Sequence, residues 1–95
     1  MIYKINGKEY ESKDFDFGAL AKLEECGVTM TDLQNVKNKP MTLILGLVAW
    51  VIDCSKEDAI EEINEHIKNG GTLKDLMKIF DSLKNSDFFI KAMKQ

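Results

Sequence analysis

The chain opens on two short alternating segments, Ile2-Tyr3-Lys4-Ile5 and Lys8-Glu9-Tyr10-Glu11, on either side of Asn6-Gly7. Alternation with a period of two marks half-buried strands. Asn-Gly suits a type I′ turn, whose two central residues both need positive φ. A β-hairpin over residues 1–12 is therefore expected, with Tyr3, Ile5 and Tyr10 on one apolar face. An isolated hairpin is marginal in water, so that face must lie against helices of its own chain or meet another chain.

From residue 14 onward the period changes to that of a helix. Asp14 or Asp16 is placed to cap a first helix running to about Cys26, with Phe17, Leu20 and Leu23, extended by Cys26, turned inward and Gly27 as the stop. Thr29 or Thr31 begins a short turn or helix through Leu33 and Val36. Pro40 fits the first position of the next helix. Ser55 heads a helix with acidic residues in its first turn and a core stripe of Ala59, Ile60, Ile63 and Ile67, ended by Gly70-Gly71. Thr72 heads another, with Leu73, Leu76, Met77, Phe80 and Leu83 at helical spacing, and Asn85-Ser86-Asp87 leads into a last short helix. The expected fold is mainly α, with some β: one domain over residues 1–95, in which the hairpin precedes a helical body (14–95) of four to six helices in a small bundle.

One segment departs from the amphipathic pattern. From Met41 to Ile52 nearly every side chain is apolar, with no polar face. Its 12 residues fall short of the roughly 20 needed to span a bilayer, so it reads as a buried helix rather than a membrane segment. A helix apolar all round is either enclosed by its own domain or shared with another subunit. A chain of 95 residues has few elements to enclose it, which gives weight to a subunit contact.

Charge and chemistry narrow the function. The net charge is −3, and all 13 basic residues are lysines, so no clustered guanidinium surface argues for nucleic acid. Cys26 and Cys54 are too few and too far apart for a disulfide framework or a close zinc-ligand pair, and without a signal peptide they are expected as free thiols in a reducing compartment. His66, the single histidine, stands beside Glu65 on a helix and reads as a solvated or half-exposed ring. Gly70-Gly71-Thr72 lacks the lysine and preceding strand of a phosphate loop. The acidic run from Glu57 to Glu65 lacks the glycine and ligand alternation of a calcium loop. No catalytic residue, metal or cofactor is therefore assigned, and no enzyme is expected. Adjacent Phe88 and Phe89 point about 100° apart on a helix and cannot share one narrow stripe, so one of them is a candidate exposed anchor.

The order of features resembles a known family. The Tyr-Lys-Ile-Asn-Gly-Lys-Glu-Tyr hairpin, Asp16-Phe17-Gly18-Ala19-Leu20 leading into Lys22-Leu23-Glu24-Glu25, Gly27, the apolar middle helix, Ser55-Lys56-Glu57-Asp58-Ala59, the Gly70 break and the Ser86-Asp87-Phe88-Phe89 ending are similar to the tail assembly chaperones of long-tailed phages and prophages of Gram-positive bacteria. The resemblance implies a non-enzymatic factor in the cytoplasm of the bacterial host that coats the hydrophobic tape measure protein, keeps it soluble, recruits tail tube protein and is absent from the mature virion. It also implies a homo-oligomer. The alternative is a small structural or adaptor protein of a phage or bacterial assembly. The contact surfaces expected first are the hairpin (Tyr3, Ile5, Tyr10), the apolar helix (Ile44, Leu47, Trp50, Val51) and the Phe88-Phe89 end.

Overall fold

A computed structural model describes residues 2–94. The chain runs β1 (Ile2–Ile5), β2 (Lys8–Glu11), α1 (Phe17–Glu25), α2 (Met30–Gln34), α3 (Pro40–Ile52), α4 (Lys56–Lys68), α5 (Leu73–Leu83) and α6 (Asp87–Ala92). The strands pair antiparallel with Tyr3 opposite Tyr10 and Ile5 opposite Lys8, which leaves Asn6-Gly7 as the two-residue turn. Both turn residues have positive φ, 53° and 75°, as type I′ requires.

The helix starts follow local chemistry. Asp16, and not Asp14, caps α1 by accepting from the Ala19 amide, and Ser55 and Ser86 cap α4 and α6 in the same way. Thr29 and Thr72 each form a reciprocal box, in which Asp32 and Asp75 return the bond to the cap amide. Pro40 occupies the first turn of α3, where its missing N–H costs nothing. At the other end of α3, the Lys13 ammonium donates to the Trp50 carbonyl at 2.8 Å, so the linker after the hairpin is tied to the negative end of that helix.

The central element is α3. Leu43, Ile44, Gly46, Leu47, Val48, Ala49, Trp50 and Val51 are all buried, in a core to which α1, α4 and α5 contribute. The domain itself thus encloses most of its apolar helix, leaving Met41 exposed and Leu45 and Ile52 half-buried. At about 1.5–3 kcal/mol for each fully buried large apolar side chain, this one element supplies much of the hydrophobic driving force. The close approach of α1 depends on Gly46, because a Cβ there would stand 2.7 Å from the Leu23 Cδ2 atom.

Three details of the expected core are corrected. Phe17 does not turn inward; it is 74% exposed, while Phe15, Ala19 and Leu23 are buried. At 100° per residue, Phe17 stands roughly 160° around α1 from Ala19, and Phe15, one residue ahead of the cap, takes the inward place. On α4 the inward line is Ala59, Ile63 and His66, which leaves Ile60 and Ile67 on the exposed flank. His66 is the third correction: it is 7% exposed, not solvated. Its ring occupies the space of a missing side chain at Gly71, where a Cβ would overlap the imidazole.

Two outcomes follow. Gly46→Val forces Leu23 and α1 outward and is expected to cost about 1–3 kcal/mol, read as a lower urea midpoint at unchanged slope. The second concerns pH. The Thr29 and Thr72 amides, the largest influence in each case, hold the Asp32 and Asp75 carboxyls below the usual range. Their stabilisation is full above the unfolded-state range and is lost as pH falls through the lower folded values. Stability should therefore decline on acidification below about pH 4, and Asp32→Asn with Asp75→Asn should flatten that decline in pH-dependent unfolding.

Candidate functional site

The inward turn of Phe15 organises the far end of the molecule. Its ring meets Trp50 edge to face at 5.8 Å and Phe89 at 5.5 Å, and Phe89 in turn meets Phe80 at 5.7 Å. These contacts seat α6 on the body. Helix geometry then points Phe88 about 100° away from Phe89, so Phe89 is buried while Phe88 is 37% exposed, at 6.0 Å from Phe15.

Between α1, α2 and α6 this arrangement leaves an open groove of about 600 Å³. Phe17, Leu20 and Ala21 of α1 form one wall, Val28, Met30 and Leu33 the base and the α2 side, and Phe88 and Ala92 of α6 the opposite wall. Glu24, Asp87 and Lys91 stand at its edges, with Asp87 and Lys91 paired at 3.1 Å. Phe17 and Met30 are exposed along it, and Leu33 is buried at its base. The short α2 that carries Met30 and Leu33 is held by the Thr29–Asp32 box and by Lys39, whose ammonium lies 3.8 Å from Asp32. Its volume falls within the range of pockets that bury most of a small ligand or a few partner side chains.

Two other recesses are smaller, and one of them is charged. A shallow patch of about 190 Å³ lies beside Met41, Leu45, Ile60 and Leu73. A cleft of about 440 Å³ between the hairpin and α5 is lined by the charged Lys4, Asp75 and Lys78 as well as His66.

The residues expected to make contacts are distributed unevenly. Tyr3 and Ile5 are buried and Tyr10 is half-buried, so the hairpin's apolar face packs on its own helices. The Tyr3 hydroxyl shares a 2.6 Å hydrogen bond with Ser82 of α5. Ile44, Leu47, Trp50 and Val51 lie inside the core, as does Phe89. Ile5, Leu47, Trp50, Val51 and Phe89 are enclosed by the folded domain, while Tyr10 is half-exposed and Tyr3 and Ile44 reach the edges of the two smaller recesses. Phe88 is exposed, and it lines the groove. Phe17 and Met30 line the groove as well, outside the contact set expected from the sequence. Phe17 carried a signal in its position directly after the Asp16 cap, opposite Ala19; Met30 carried none.

The reactive side chains are arranged for structure. Burial pushes both the Cys26 and the Cys54 thiol up, away from the nucleophilic thiolate. The Asn6 amide donates to His66 Nδ1 at 2.9 Å, so the neutral ring carries its proton on Nε2, which lies 3.5 Å from Asp75 Oδ2 and makes no hydrogen bond among the described residues. Among those residues no three His, Cys, Asp or Glu side chains gather into a metal site, and no helix is long and apolar enough to cross a membrane.

No protein-family model, curated protein or solved structure matches the chain.

The two adjacent phenylalanines should separate cleanly on substitution. Phe89→Ala empties a core position and is expected to cost about 3–5 kcal/mol. Phe17→Ser should stay within about 0.5 kcal/mol of the wild-type stability in chemical denaturation, and Phe88→Ser, which loses its edge contact with Phe15, should cost about 0.5–1.5 kcal/mol, well below Phe89→Ala.

Proposed function

We propose that this protein is a non-enzymatic assembly chaperone that holds an apolar helical segment of a larger partner in the groove between α1, α2 and α6. The observation that carries the reading is the groove itself: exposed Phe17, Met30 and Phe88 converge on one recess, while Tyr3, Phe15, Trp50, Phe80 and Phe89 are buried. An amphipathic helix lays its apolar face into such a recess through side chains spaced three and four residues apart. The flexible thioether of Met30 lets the base adapt to different partner side chains, which suits a chaperone that must engage many segments of one long chain.

The resemblance to tail assembly chaperones identifies the partner in this proposal as the tape measure protein of a long-tailed phage or prophage, with tail tube protein joining as the tube grows. In this reading the protein acts in the cytoplasm of the bacterial host as a homo-oligomer along its client and leaves before the virion is complete. Tyr3, Ile5, Trp50 and the rest of the buried set support the body that presents the groove, and Phe88 is the contact retained from the sequence-based expectation.

Co-expression with the tape measure protein encoded beside it tests the proposal. The client should stay soluble and co-purify with the wild-type chain. Phe17→Glu with Phe88→Glu, folded but charged at the groove, should lose at least about tenfold in client recovery, as expected when central aromatic anchors are removed. A client no more soluble with the wild type than alone overturns the proposal. Recovery of the protein in purified, finished particles would instead favour a retained structural or adaptor protein.

A further inference from the structure

The hairpin turn holds a reactive pair that the groove does not use. Asn6 meets α4 and its C-cap Asn69 with its backbone N–H and both polar atoms of its side-chain amide. Its backbone N–H donates to His66 Nδ1, and its side-chain amide nitrogen donates to Glu62 at 3.2 Å and Glu65 at 2.7 Å. Its side-chain oxygen accepts from the Asn69 amide at 3.1 Å. The orientation of the amide is set by these partners, because reversing it would turn oxygen toward two carboxylates. Gly7, next in the chain, is exposed, and nothing lies within 4 Å of where its Cβ would stand. Gly7 thus brings no side chain to hinder its backbone nitrogen, while the Asn6 carboxamide before it is tied by contacts to a different element.

We propose that Asn6-Gly7 is a deamidation site guarded by the fold, and that its conversion releases the hairpin from α4 irreversibly. When the turn lifts from α4, the Gly7 backbone nitrogen attacks Asn6 Cγ. The new N–Cγ bond replaces the Cγ–Nδ2 bond, the proton of the attacking nitrogen passes through solvent to the departing group, and ammonia leaves. Water then opens the cyclic imide at either carbonyl, giving aspartate or isoaspartate. Neither product fits the old seat. Aspartate loses both amide donors and faces Glu62 and Glu65 with a third carboxylate, raising the magnitude of a net charge that is already −3. Isoaspartate adds a backbone atom to a two-residue turn whose geometry depends on both central residues at positive φ. The undocked hairpin then uncovers Tyr3 and Ile5, which are buried in the intact protein. The proposal is independent of the groove and its partner.

Mass spectrometry of the full chain in mildly alkaline buffer, with peptide mapping of Asn6, provides the test. Glu65→Ala with Asn69→Ala removes two guarding contacts at exposed positions, and the turn should then convert about tenfold faster than in the wild type, as the open population rises. Glu61→Ala, on the exposed side of α4, should leave the rate unchanged, and the urea-unfolded chain sets the upper limit. Folded wild type that converts as fast as unfolded chain, or a double variant that converts at the wild-type rate, overturns the guard. For the release, amide hydrogen exchange at Tyr3 and Ile5 should accelerate by about tenfold or more in the converted protein and in Asn6→Asp. Protection equal to that of the wild type would overturn it.

Discussion

A helix with no polar face has to be surrounded, and in this chain the surroundings must come from a handful of short elements. Enclosing α3 draws in Ala19 and Leu23 from α1, Ala59 from α4, and Leu76, Ile79, Phe80 and Leu83 from α5. Those inward faces are then committed, and a domain of this size has no second layer in which to place the remaining apolar residues. Phe17, Met41, Ile60, Ile67, Phe88 and Ile90 stay at the surface as a result. Gly46 is the local condition for this arrangement, since it lets Leu23 reach the backbone of α3 without displacing α1.

The hairpin joins the body through two kinds of contact side by side. Tyr3 and Ile5 bury apolar surface, while Asn6 meets a row on α4 formed by Glu62, Glu65, His66 and Asn69, spaced three, four and seven residues apart along one face. Lys8 adds an ion pair to Glu62 at 3.5 Å. A two-stranded sheet that is marginal alone thereby acquires a docked position. The buried histidine has a structural purpose in this scheme: its unprotonated nitrogen receives the turn amide, and Gly71 leaves room for its ring.

What remains for function is the surface that the core could not absorb. Between α1, α2 and α6 that surplus becomes an open groove with apolar walls, because α6 is seated by Phe89 and the Phe15 cluster while Phe88 lines the groove opposite α1 and α2. The buried Cys26, the half-buried Cys54 and the histidine engaged with the hairpin turn are built into the fold, whereas the groove is open at the surface. The proposed recognition of an apolar helix rests on this division.

Much of the architecture was legible along the chain because it rests on short-range rules. The Asn6-Gly7 turn, the caps at Ser55, Thr72 and Ser86, Pro40 at a helix start and the helical period of α5 each depend on residues within a few positions of one another. The divergence of Phe88 from Phe89 was legible too, from helix geometry alone. What only the tertiary structure decided was which flank of each helix faces α3. The inward choice of Phe15 over Phe17 and of His66 over Ile60 and Ile67 is set by packing partners distant in sequence. The groove belongs to the same class: Phe17, Met30 and Phe88 carry no common motif, and they form one surface because α1, α2 and α6 fold around a helix that none of them specifies.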